Sequence, residues 1–99
     1  MAVPSLIRRA GLNLSTPYAA AVGELESLIV LIFAEVFSLD HVGVNDDFYD
    51  LGGDSLLAEV LSLAISEQTG HRLEISSVFK HSSPKRIAAL LKTKNEAVT

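Results

Sequence analysis

Apolar residues recur at helical spacing in two long stretches of the chain, with turn formers between them. From Glu24 to Phe37, Leu25, Leu28, Ile29, Ile32, Phe33 and Val36 share one face, which predicts an amphipathic helix. Glu24 and Glu26 sit in its first turn, where negative charge suits the helix dipole. Val30, Leu31 and Phe37 fall off that stripe, so the helix is apolar on more than one side. A second element covering the extra face accounts for this. The competing account is a surface for a partner or for self-association. From Ser55 to about Thr69 a second helix is predicted, with Leu57, Leu61, Ala64, Ile65 and Gln68 on one stripe and Val60 at its edge. Ser55, Glu59, Ser62 and Ser66 make the opposite, polar stripe, and Leu56 and Leu63 stack on one flank between the two.

Ser38 to Asp54 reads as a long loop. Gly43, Asn45, Asp46, Asp47, Asp50, Gly52 and Gly53 are turn formers. Between them lie Leu39, Val42, Val44, Phe48, Tyr49 and Leu51, so the loop is expected to pack onto the helices. Gly70 suits a helix stop. Glu74–Lys80 reads as one or two helical turns, with Val78 and Phe79 as core contacts. Ser83-Pro84 opens a last helix, serine at the N-cap and proline at the first helical position. Ile87, Leu90 and Leu91 form its stripe, and from Lys94 a frayed tail is expected. Upstream, Pro4, Gly11 and Pro17 break any period, so residues 1–22 read as a flexible or loosely packed leader. No stretch reads as a convincing strand, a repeat or a low-complexity segment.

Composition narrows the function classes. Ninety-nine residues allow one domain. Net charge is −4, and no basic helix accompanies it, which argues against a DNA-binding domain and suits a partner with a basic surface. There is no cysteine, so the chain supplies neither disulfides nor a working thiol. That fits a reducing compartment, and a cytoplasmic location is expected. No apolar run is long enough to span a bilayer, and Gly11, Asn13, Ser15, Thr16 and Pro17 interrupt any export signal. Asn13-Leu14-Ser15 is a formal glycosylation sequon, read as chance. His41, His71 and His81 show no metal-ligand spacing.

The chemistry concentrates in DDFYDLGGDSLLAEVL, Asp46 to Leu61, where a hydroxyl opens a helix behind two glycines and an aspartate. Ser55 or Asp54 capping the helix is the plain account. Gly52 and Gly53 also allow another protein to approach the backbone closely, and a helix N-terminus favours an anion such as a phosphate on Ser55. A serine nucleophile acting alone would need a base, and no histidine lies within a few residues. LGGDS is not the G-x-S-x-G elbow either. Asn45, Asp46, Asp47, Asp50 and Asp54 form an acidic loop, but Asp50 stands where a calcium loop needs its glycine.

The same stretch resembles the attachment site of the acyl and peptidyl carrier proteins, and D-x-F-x-x-L-G-G-D-S-L is specific for them. ELESLIVLIFAEVFSLDHVGVNDDFYDLGGDSLLA is similar to the first helix, loop and site of a peptidyl or aminoacyl carrier domain, and LEISSVFKHSSPKRIAALL resembles that family's last two helices. The resemblance covers about Gly23 to Lys92. It implies an all-α four-helix bundle with a short third helix and a long loop between helices 1 and 2. It implies a carrier domain at 23–93 between the leader at 1–22 and the tail at 94–99. It also implies 4'-phosphopantetheine, donated by coenzyme A, on Ser55, with Asp54 and Gly53 beside it and an acyl, aminoacyl or peptidyl thioester on the arm. The base would then belong to a phosphopantetheinyl transferase using Mg²⁺, and the sulfur would arrive with the cofactor. The chain would be no enzyme but a stand-alone carrier in natural-product or related acyl-transfer biosynthesis. An adenylating loading enzyme and downstream acyl-transfer or condensing enzymes would be its other partners, with no nucleic acid, membrane or metal. Leu56, Glu59 and Leu63 are the expected partner contacts. A fatty-acid-type acyl carrier is the nearest alternative, because aspartate before the serine is also common there. A binding module in which Ser55 is only a cap is the other.

Overall fold

The computed structural model describes residues 6–97. A short 3-10 turn at Arg9–Leu12 precedes four α-helices: α1 (Gly23–Phe37), α2 (Ser55–Thr69), α3 (Ile75–Lys80) and α4 (Pro84–Ala97). Helix α1 packs on α2 and α4, and α2 also packs on α3. This is the four-helix bundle that the resemblance implies. Among the described residues the one extended pairing is an isolated bridge between Ile7 and Leu39.

The core forms where the apolar stripes meet. Ile29 and Phe33 of α1, Leu61 and Ile65 of α2, Val78 of α3 and Ile87 and Leu91 of α4 are all buried there. Each such side chain contributes roughly 1.5–3 kcal/mol by leaving water. Two helices end as the sequence predicts. Gly70 closes α2 in the left-handed conformation (φ 73°), its N–H donating to the Ser66 carbonyl. Pro84 opens α4 and is fully buried. The helix runs on to Ala97, past the Lys94 at which the tail was expected.

Several positions differ from the expected pattern. No element covers the outer face of α1 at Leu31, which is 60% exposed, whereas Phe37 is buried between Phe33 and Phe48. On α2 the buried line runs through Ala58, Leu61, Ser62 and Ile65, one position round from the expected stripe, and Gln68 is exposed. Ser62, expected on the polar face, is covered because the chain returns over it toward α3. Ser66 beside it donates to the Ser62 carbonyl and accepts from the Leu73 N–H at 2.8 Å. Phe79, expected in the core, is 37% exposed and stacks on Tyr49.

The loop from Ser38 to Asp54 is packed along its length. Leu39, Val42, Val44, Phe48 and Leu51 are buried, and so is Asp46. The segment before α1, expected as a leader outside the domain, runs along this loop. Ile7 exchanges backbone hydrogen bonds with Ser38 and Asp40, and the Val44 N–H donates to the Ala19 carbonyl at 3.0 Å. Leu12 and Leu14 pack against the core.

Candidate functional site

The loop delivers Ser55 by winding around one ring. Phe48 is fully buried and meets Phe37, Tyr49 and Phe79 edge-on at centroid distances of 5.5, 5.6 and 6.2 Å. Its N–H donates to the Ser82 carbonyl at 2.6 Å, and its own carbonyl accepts from the Gly53 N–H at 2.9 Å. The preceding Asp47 accepts from the Ser82 hydroxyl and from the Tyr49 N–H. The LGG turn is therefore tied to the ring that anchors the loop. A Cβ on Gly53 would stand 2.3 Å from the Phe48 ring, so only glycine lets the backbone lie this close. The space that a side chain at Gly53 would take belongs to Phe48, whereas Gly52 is open.

At the start of α2 the capping question has a definite answer. Asp54 is the N-cap, in extended conformation, and its Oδ1 accepts from the Leu57 N–H at 2.9 Å. The Ala58 N–H is taken by the Asp54 carbonyl. Ser55 is the first helical residue and is exposed. Its hydroxyl has no partner among the described residues, so it caps nothing. By helix geometry the N–H groups of Ser55 and Leu56 also lack intrahelical acceptors. An exposed hydroxyl thus stands beside free donors at the positive end of a 15-residue helix, where an attached phosphate is stabilised.

No base accompanies it. His41 lies against Asp40 and Tyr18 at the N-terminal segment. His71 follows the far end of α2, about 20 Å away along a helix of that length. None of the three histidines is bonded to Ser55. The acidic loop does not converge on a common point either. Asp46 faces Arg9, Asp47 faces Ser82, and Asp54 caps α2. Among the described residues no group of His, Cys, Asp or Glu is arranged to hold a metal ion. Among the described residues no helix is long and apolar enough to cross a membrane.

Around Ser55 the expected contact residues are all at the surface. Leu56 is 68% and Leu63 58% exposed, and Glu59 lies open between them. Val60, read from sequence as the edge of the core, is 43% exposed and completes the line Leu56–Val60–Leu63 at helical spacing. That line leads to a groove of about 520 Å³ between α2 and α3, bordered by Glu59, Leu63, Leu73 and Ile75. The sequence reading did not include Val60 or Ile75 in this surface. The small size of α3 was the available signal, because a two-turn helix cannot bury every apolar residue it carries.

Residues 27–91 match the family model described as the phosphopantetheine attachment site. The chain is 39% identical over 71 residues to gramicidin S synthase 2 of Brevibacillus brevis. That match covers 72% of this chain and 2% of the synthase. Among solved structures it is similar to a nonribosomal peptidyl carrier domain, with 34% identity and a TM-score of 0.65 over 72% of this chain and 91% of that one. It is also similar to BlmI, a type-II acyl carrier protein of Streptomyces verticillus involved in bleomycin biosynthesis. There the identity is 27% and the TM-score 0.68, over 71% of this chain and 84% of that one.

Proposed function

Because this chain belongs to the phosphopantetheine-attachment-site family of carrier domains, we propose that Ser55 is its attachment residue and that the chain carries aminoacyl or peptidyl groups in nonribosomal peptide synthesis. The observation that carries the assignment is the idle hydroxyl. Asp54 performs the capping that would otherwise explain a serine at this position. Ser55 is left exposed, unbonded and beside free helix N–H groups. The residues fit the group: an open hydroxyl to bond it and helix donors to hold its phosphate. When attached, 4'-phosphopantetheine supplies a terminal thiol on a flexible arm, where an acyl, aminoacyl or peptidyl group is held as a thioester.

The chain's own part is presentation. Phe48 and Gly53 fix the turn, and Asp54 fixes the first turn of α2. Asp54 spends one carboxylate oxygen on its cap, and the other is available to the Mg²⁺-bound complex of a phosphopantetheinyl transferase. The Ser55 oxygen bonds the coenzyme A phosphorus that bears the pantetheine arm, the nucleotide half leaves as adenosine 3',5'-bisphosphate, and the Ser55 proton goes to a base on that transferase, which accounts for a serine without a histidine. Leu56 and Leu63 offer apolar contacts and Glu59 a charged one to the transferase, to an adenylating loading enzyme and to condensing enzymes. The aminoacyl or peptidyl branch is favoured over a fatty-acid-type carrier by the likeness to gramicidin S synthase 2 and to the nonribosomal carrier domain.

The test is intact mass after incubation with coenzyme A, Mg²⁺ and a broad-specificity transferase. We expect the wild type to gain one phosphopantetheine and Ser55→Ala to gain none. Folded wild type that stays unmodified with several transferases would overturn the assignment and leave a helical binding module.

A further inference from the structure

A second site-related device reaches into the long loop from residues before the stretch that the family model matches, residues 27–91. Asp46 is fully buried in the loop, and a buried carboxylate is costly unless it is paired and hydrogen-bonded. Its partner comes from the N-terminal segment. Arg9 Nε donates to Oδ2 and an Arg9 terminal nitrogen to Oδ1, both at 2.6 Å, in a two-pronged ion pair. The Gly43 N–H donates to Oδ2 at 2.8 Å, so one side chain joins Arg9 to the loop backbone.

Arg9 is itself held in place. It donates to the Thr16 carbonyl at 2.9 Å and lies over the Tyr18 ring, 5.4 Å from its centroid. Its backbone N–H donates to Asp40 Oδ1 at 2.9 Å. The segment lies so close at Gly43 that an added Cβ there would stand 3.1 Å from the Ala19 nitrogen. From Asp46 the fixed backbone continues directly to Ser55. Asp47 and Phe48 are bonded to Ser82, and Gly53 is bonded to Phe48.

We propose that residues 7–20 are a strap built into the domain, and that Arg9, through Asp46, is a positioning residue that fixes the loop presenting Ser55. Its consequence for modification rests on Ser55 being the attachment residue; its effect on the loop does not. Without Arg9 the loop loses its two-pronged tether to the N-terminal segment, and where Asp46 is still charged it also opens to hydrate a carboxylate left with only the Gly43 N–H.

The experiment is amide hydrogen exchange on the full chain, comparing wild type, Arg9→Gln and the double variant Arg9→Gln/Asp46→Asn. Exchange in residues 42–53 is read against α1 as an internal reference. The initial rate of phosphopantetheine transfer is measured on the same samples, at a temperature where circular dichroism shows each one folded. The double variant leaves no unpaired buried charge, so it carries the reading if Arg9→Gln does not fold. We expect exchange in 42–53 to rise at least about tenfold in both variants with α1 unchanged, and the transfer rate to fall about tenfold through misplacement of the hydroxyl. Faster exchange confined to residues 7–20, or a loosened loop with an unchanged transfer rate, would overturn the proposal. A wild type that accepts no phosphopantetheine would sink the carrier assignment alone, and the exchange data would still decide the strap.

Discussion

Adjacent residues at the start of α2 divide two jobs that are easily confused. Asp54 makes the cap, and the Ser55 hydroxyl makes no hydrogen bond to the described residues. Their substitutions therefore separate. Asp54→Ala is expected to cost about 1 kcal/mol of stability, because the Leu57 N–H loses its acceptor. In a domain of this size that lowers Tm by about 4–8 °C. Ser55→Ala is expected to leave stability within about 0.5 kcal/mol of wild type. Thermal unfolding followed by circular dichroism checks both. A large loss in Ser55→Ala would mean that its hydroxyl has a structural role after all.

Helix α2 carries the same division round its circumference. One face is core, with Leu61 fully buried, and the neighbouring flank exposes Leu56, Val60 and Leu63. Leucines two positions apart thus live in different environments. Leu61→Ala is expected to cost about 2–5 kcal/mol, from lost transfer energy and the cavity left behind. Leu63→Ala should change stability by less than about 0.5 kcal/mol. It should still slow modification or loading if this flank meets the partner enzymes. Chemical denaturation set beside a loading assay measures both, and a Leu63→Ala carrier loaded at the wild-type rate would remove the residue from the contact surface. The exposed Leu31 on α1 faces away from any such account, and nothing in the structure covers it.

At the scale of the whole molecule, the N-terminal strap, the long loop and the helix start form one connected path. Its outer end is expected to respond to acid through Asp40. Hydrogen bonding from the Arg9 backbone N–H, aided by the N–H and side chain of His41, holds the Asp40 carboxyl below the usual aspartate range. A carboxylate whose pKa is depressed on folding contributes stability above its unfolded pKa, and that contribution is lost as pH falls through the folded value. Arg9 stays cationic throughout, and its pairing with Asp46 favours the charged form further. The strap is therefore expected to keep Asp40's contribution at neutral pH and to lose it only in acid, below the usual aspartate range. Exchange of the Arg9 and His41 amides across a pH series reads this after correction for intrinsic rates. Asp40→Asn should flatten the response.

Local pattern determined much of this protein. The spacing of Leu25 to Val36 marks α1, LGGDS marks the candidate site and the start of α2, Gly70 marks its end, and Ser83-Pro84 marks the start of α4. These signals are legible because caps, turns and periodicity act between residues a few positions apart. Tertiary structure alone decided which faces were covered. Ser62 is buried and Leu31 exposed because of where other segments return, which no helical period encodes. Phe79 looks like core in sequence, yet α3 is too short to turn it fully inward. The choice of Asp54 over Ser55 as the cap depended on backbone angles that either residue could have adopted. The pair of Arg9 and Asp46 joins residues 37 positions apart. Neither position carries a local signal, because a buried ion pair is specified by the geometry that brings its two ends together.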